Sequence, residues 1–201
     1  MKSALCLLAA AAVLAAAIFL RFWHLEAAPF HADEAVQAVI FQDLLEHGKI
    51  RYDPRHYHGP LPHGINALWM RAAGLRSLAE LHEWHFRVLP AAAGLGLVLV
   101  VMAVLWKTSR PAALTAGMFA ATSPMLVFFS RFGIHESLFA LLGFLAGMAV
   151  IRLLRNPSPR RGALLGLLVA LTAACKETWI FLIPAWALAA VAAGLLRPRA
   201  W

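Results

Sequence analysis

Charge is scarce in this chain. Only 14% of its 201 residues are Asp, Glu, Lys or Arg, while 62% are hydrophobic; a soluble domain carries roughly 25% charged residues. One water-facing globule of this size has too little interior to hide so much apolar surface. With a mean hydropathy of +0.72, a soluble fold is excluded and the chain reads as an all-α integral membrane protein. Cysteine is nearly absent too. Cys6 and Cys175 lie far apart in apolar sequence, which excludes a disulfide framework and a cysteine metal site. No G-x-x-x-x-G-K-[ST] occurs, so ATP-driven transport has no support. His82-Glu83-Trp84-His85 is one residue short of the H-E-x-x-H spacing that sets two imidazoles on one helix face for zinc. Gly94-Leu95-Gly96 falls inside an apolar run and reads as helix packing. Low-complexity sequence and internal repeats are lacking.

What is present is a series of apolar runs. At about 1.5 Å per residue, a bilayer core of about 30 Å needs about 20 residues. The runs predict about six transmembrane helices, at residues 4–23, 88–106, 112–129, 138–154, 162–175 and 179–196. The first exceeds a signal-peptide core of about 7–15 residues and is expected to be retained as a span. The last two are expected to meet at Lys176-Glu177-Thr178, recessed below the outer surface because residues 162–175 make a short helix.

Charge distribution supplies orientation. With the N-terminus inside, Lys2, Lys107, Arg110, Arg152, Arg155, Arg160, Arg161, Arg197 and Arg199 face the cytoplasm without a single acid, and all ten acids lie outside. This is the positive-inside pattern. The net charge of +8 is therefore a topology signal, and nucleic acid is not implied. The chain is expected to be a multi-pass protein of the plasma membrane.

Residues 24–87 form one large extracytoplasmic loop holding most of the histidines and acids. Val36, Val39, Ile40, Leu44 and Leu45 recur at helical spacing up to Gly48, and Ile65, Leu68, Trp69, Ala72 and Leu75 share a second face. Both stretches predict amphipathic helices lying on the membrane surface. Between them runs a Pro/Gly-punctuated strip containing Tyr52, Tyr57, His56, His58 and His63, whose polar side chains suit a hydrogen-bonding pocket.

Three constellations carry chemistry. Asp33-Glu34 directly follows the first span. Asp33 reads either as a helix N-cap or as a general base at the membrane surface, and the two are compatible. Ser130-Arg131-Phe132-Gly133-Ile134-His135-Glu136 places three ionisable residues between apolar helices, where they are expensive near lipid. Arg131 suits a lipid phosphate, and Glu136 a metal or an acceptor. Lys176-Glu177 is either a neutralised pair tying two helices together or a phosphate clamp in which Lys176 supplies the charge.

His31-Ala32-Asp33-Glu34, the strip Tyr52-Asp53-Pro54 to Tyr57-His58-Gly59-Pro60, and Arg87-Val88-Leu89-Pro90 together resemble the N-terminal part of membrane glycosyltransferases with the C-type fold. The likeness is to the protein mannosyltransferase-like and aminoarabinose transferase-like groups, in the archaeal and bacterial branch associated with N-glycosylation. Members of these groups are longer, so the resemblance implies the N-terminal module of a larger enzyme. It implies a polyprenyl-phosphate-linked sugar as donor and a protein, lipid or glycan as acceptor. Direct attack would invert the anomeric carbon. Asp33 takes the role of general base and Glu34 that of its catalytic partner. Arg131 and Lys176, with Glu177, Tyr57, His58 and His135, are implied on the substrate, and Glu136 with Asp33 at a divalent ion. Two other classes compete: a flippase or transporter component for lipid-linked glycan, and a non-catalytic membrane assembly partner. Acids clustered at the outer face, not at mid-bilayer, favour surface chemistry over passage.

Overall fold

The computed structural model of the chain describes residues 2–49 and 59–195, and every regular element among them is helical. In order these are α1 (Lys2–Phe22), α2 (Ala32–His47), α3 (Pro60–Ala72), α4 (Glu83–Trp106), α5 (Arg110–Thr122), α6 (Pro124–Ser130), α7 (Glu136–Arg155), α8 (Pro159–Cys175) and α9 (Leu182–Leu195), with short 3-10 turns at Leu78–Glu80 and Glu177–Phe181. Three helices, Ala4–Phe22, Glu83–Trp106 and Glu136–Arg155, are long and apolar enough to cross a membrane, and the bent pair α5–α6 makes a fourth if counted as one span. The chain is an all-α membrane protein. The 17 residues of α8 and the 14 of α9 are each shorter than the about 20 that a bilayer crossing takes.

The chain divides into two compact units, Met1–Tyr52 with Pro62–Leu138, and Asp53–Leu61 with Phe139–Trp201. In the first, α1, α4 and α5 pack through Val13, Ala17, Val98, Met102, Ala120 and Ala121. Small residues set this contact. A Cβ on Gly117 would meet Met102, and one on Gly94 would collide with the Ser130 hydroxyl. The bend of 57° between α5 and α6 follows from Pro124, which lacks the N–H that Ala120 would use in a continuous helix. Arg21 on α1 replaces it, donating to the carbonyls of Ala120 and Ala121 at 2.9 Å each. A buried arginine in an apolar helix thus repairs a proline break in its neighbour.

The surface helices α2 and α3 pack on the start of α4 through Ala38, Phe41, Leu45, Ala67, Met70 and Phe86. Gly48 closes α2 at φ 69°, donating its N–H back to the last turn. The face packed against the protein is set by more than apolar spacing. Glu34, Gln37, Ala38, Phe41 and Leu45 turn inward on α2, while Val36 and Val39 are exposed, as is Leu68 on α3. A charge anchor sets this rotation, since Glu34 must reach Arg87.

In the second unit, α9 packs closely on α7 because Gly143 and Gly147 present no side chain. A Cβ on Gly143 would lie 2.8 Å from Leu182, and one on Gly147 would lie 3.1 Å from the Trp186 ring. Trp186 Nε1 donates to the Gly143 carbonyl at 3.1 Å. Gly59 sits against the end of α8, where a Cβ would fall on the Ala174 carbonyl and the Cys175 backbone. Backbone cannot swing aside as a side chain can. Gly59→Ala is therefore expected to cost about 1–3 kcal/mol, read as a lowered melting temperature in detergent. Gly64→Ala, with nothing near its Cβ, is the control and should leave that temperature unchanged or higher.

Candidate active site

The site is built around the first turn of α2. His31, extended at φ −73° and ψ 156°, is its N-cap. The His31 ring Nδ1 accepts from the Asp33 N–H at 3.3 Å, and the Glu34 carboxylate reaches back to the His31 N–H at 3.0 Å. The two bonds form a reciprocal capping box. Asp33 is thereby released from the N-cap position and stands in the first turn with its side chain 67% exposed, 3.6 Å from the His31 ring.

Glu34 goes the other way and is fully buried. Its Oε1 accepts from Arg87 Nε at 2.7 Å and from the Gly133 N–H at 2.6 Å, and its Oε2 accepts from Arg87 Nη2 at 2.7 Å. Arg87 opens α4 and is likewise buried. Its remaining donors reach the carbonyls of Leu25 (2.6 Å), Ala28 (2.8 Å) and Pro29 (3.1 Å). All five guanidinium N–H groups are used. The Phe30 ring lies 5.8 Å from the guanidinium carbon. Two residues thus fasten four pieces of chain: the α1–α2 connection, the α2 cap, the top of α4 and the loop after α6.

Burial pushes the Glu34 carboxyl up, but Arg87's hydrogen bonds, the His31 and Gly133 N–H groups and Arg87's charge outweigh it, leaving the carboxyl below its ordinary range. A depressed folded value stabilises the fold above the ordinary glutamate value of about 4.3, and that contribution is lost as pH falls through the folded value. Thermal melts taken below about pH 4 should show wild type losing stability to which Glu34→Gln is blind.

This burial corrects one expectation. All four lone-pair directions of the Glu34 carboxylate are taken up inside the protein, which leaves none for an acceptor or an ion. Arg131, expected on the donor phosphate, instead donates to the carbonyls of Leu20 (3.1 Å), Trp23 (2.7 Å) and His24 (3.0 Å). It caps the end of α1, where the last helical carbonyls have no intrahelical donors.

The loop from Arg131 to Glu136 is drawn to α2 by the Gly133–Glu34 bond and by Phe132, whose ring centroid lies 5.4 Å from that of His31. A Cβ on Gly133 would press on Glu34 Oε1 at 3.1 Å and on Phe86 at 3.0 Å, so glycine permits this approach. His135 is buried with its Nε2 3.4 Å from Glu136 Oε1, and the Glu136 side chain is 27% exposed. Glu136 begins α7, where a carboxylate suits the helix dipole.

In the second unit, Lys176 has an extended backbone (φ −157°, ψ 138°) between α8 and the 3-10 turn that begins at Glu177. Gly59 packs on the residues just before it. Tyr57 and His58 lie outside the described residues. Among the described residues no three His, Cys, Asp or Glu side chains converge as a metal site requires. Asp33 and Glu136 belong to no such group among the described residues.

Sequence reading missed the central partner. Arg87 entered only as part of an Arg-Val-Leu-Pro string, although a lone arginine at the mouth of an apolar span demands a buried acceptor. The same signal marked Arg21. Gln37 and the role of His31 as cap carried no signal of their own, because both depend on the rotation of α2.

No curated protein and no solved structure matches the chain. Residues 62–200 match the family model described as dolichyl-phosphate-mannose-protein mannosyltransferase, a match that includes Arg87, Arg131, Glu136 and Lys176 and begins after the Asp33-Glu34 pair. The chain belongs to this family, one of glycosyltransferases that draw on a polyprenyl-phosphate sugar.

Proposed function

We propose that the chain moves a sugar from a polyprenyl-phosphate donor to a protein, lipid or glycan acceptor at the outer face of the plasma membrane, with Asp33 as general base. Asp33 takes the proton from the acceptor hydroxyl or amine. The freed electron pair forms the new bond at the anomeric carbon, and the bond from that carbon to the phosphate oxygen breaks. Polyprenyl phosphate leaves with the electron pair, and configuration inverts.

The observation that carries this reading is the division of labour in the acidic pair. Glu34 is saturated by Arg87, His31 and Gly133, while Asp33, one residue away, is exposed on a turn held by the capping box and the Glu34–Arg87 pair. A base needs that fixed aim. Arg131, by contrast, is occupied as a helix cap. An apolar groove of about 500 Å³ between α1 and α5, lined by Val13, Leu114, Met118 and Phe119, is suited to an isoprenoid chain.

The test uses the full chain in proteoliposomes with radiolabelled dolichyl-phosphate mannose and the extracted membrane fraction as acceptor. Label passing into protein, lipid or glycan supports the proposal. Donor that crosses the vesicle wall with its sugar still attached turns the reading to a flippase.

A further inference from the structure

Where α1 ends and α4 begins, the two helices leave a groove of about 500 Å³ that shares no lining residue with the α1–α5 groove. Phe22, Leu25 and Val88 make its apolar part, and Glu26, His82, Glu83 and Trp84 its polar part. Two carboxylates thus stand in the wall, and no lysine or arginine is among the lining residues. Among the described residues Glu26 has His24 at 3.9 Å, and Glu83 has no ion-pair partner. Like charges that share a cavity repel each other, and a cation between them satisfies both.

Chemistry and depth narrow the occupant. The carboxylates turn away an anion, and among the described residues Glu26, His82 and Glu83 form no metal-binding group. An organic ammonium has the donors that two carboxylates call for. The Trp84 ring, stacked on His85 at 3.8 Å and still 38% exposed, offers it an aromatic face. Tryptophan collects at the headgroup level of a bilayer, and Trp84 and Trp23 mark that level at the ends of the two helices. Below it the apolar wall continues. Val88, Ala92, Leu95 and Leu99 follow Trp84 at helical spacing on one side of α4, each exposed or half-buried. On α1, Ala15, Ile18 and Phe22 do the same. From Val88 to Leu99 the track runs about 16 Å, half of a hydrocarbon core of about 30 Å. That is the depth of one leaflet. A soluble basic peptide would leave this track unused, whereas a lipid with a cationic head fills both parts.

We propose that the groove binds one phospholipid of the outer leaflet through an ammonium headgroup of the ethanolamine class. The ammonium lies between Glu26 and Glu83, ring N–H groups of His82 and Trp84 serve the phosphodiester, and one acyl chain follows Val88, Ala92 and Leu99. The site stands whether or not the chain transfers sugar.

The experiment titrates the full chain in detergent with phosphatidylethanolamine, its N-acetylated form and phosphatidylglycerol, and counts bound lipid by native mass spectrometry. One phosphatidylethanolamine is expected to bind about three- to thirtyfold more tightly than the N-acetylated form, the scale of two partly exposed ion pairs. The double variant Glu26→Gln/Glu83→Gln keeps the shape of the groove. It should shrink that preference to within about twofold and leave phosphatidylglycerol bound as well as before or better. Should the double variant fail to accumulate, Glu26→Gln alone, at an exposed position, should remove part of the preference. Equal binding of the two ethanolamine forms, or a preference that the variants keep, overturns the site. N-acetyl-lysine methylamide is the remaining arm. If it displaces phosphatidylethanolamine at equal concentration, the groove takes a basic side chain of a protein and the lipid assignment falls.

Discussion

Arg87→Met is expected to lower the stability of the chain by about 3–5 kcal/mol, the cost of leaving one member of a buried ion pair without the other. The magnitude follows from the geometry. Glu34 is wholly buried and would keep only the His31 and Gly133 N–H groups. The Leu25, Ala28 and Pro29 carbonyls would also lose their donor. Glu34→Gln should cost a comparable amount, because it strands a guanidinium that cannot deprotonate. The double variant Glu34→Gln/Arg87→Met should be less unstable than the sum of the singles by at least about 1 kcal/mol, since the residues share one network. Thermal unfolding of the four proteins in one detergent closes the cycle. Additive losses would mean that Glu34 and Arg87 do not act as a pair, and the explanation for the rotation of α2 would go with them.

The fold was legible where hydrophobicity acts alone. The runs at 4–23, 88–106 and 138–154 lie, to within one residue at the end of the first, in α1, α4 and α7, which are long and apolar enough to cross a membrane, because lipid forces every backbone polar group into a helix. The surface helix ending at Gly48 was legible for a similar reason, as a left-handed cap selects glycine. Its facing was not. Apolar spacing groups Val36, Val39, Ile40, Leu44 and Leu45, yet of these only Leu45 is buried, and the Glu34–Arg87 pair decides which side of α2 packs on the protein. The bend at Pro124 shows the same limit: proline announces a break, but only the neighbouring helix says that Arg21 will mend it.

The candidate site was legible as a set of residue types and not as a set of roles. Asp33 and Glu34 are adjacent and chemically alike, and helix periodicity turns successive residues about 100° apart, so one must face inward when the other faces out. Which one depends on Arg87, more than fifty positions away in the chain. Arg131 shows the converse. A phosphate and the carbonyl end of a helix both attract a guanidinium, and sequence spacing cannot tell the two apart.

That division makes the remaining prediction a sharp one. Asp33→Asn should reduce kcat for sugar transfer by about 10²–10⁴-fold, the usual contribution of a positioned base. Stability should change by no more than about 1 kcal/mol, what one exposed charge contributes at a helix N-terminus. Glu34→Gln should instead lower stability and activity together, and its activity should recover in part where the protein is kept folded by lower temperature. The two variants differ by one position in the chain and by the same atom exchange, so a difference in the character of their defects isolates orientation from charge. Steady-state kinetics beside melting curves makes the comparison. Near-wild-type turnover in Asp33→Asn would move the base elsewhere, and Glu136, the partly exposed carboxylate on the loop tied to α2, would be the next to substitute.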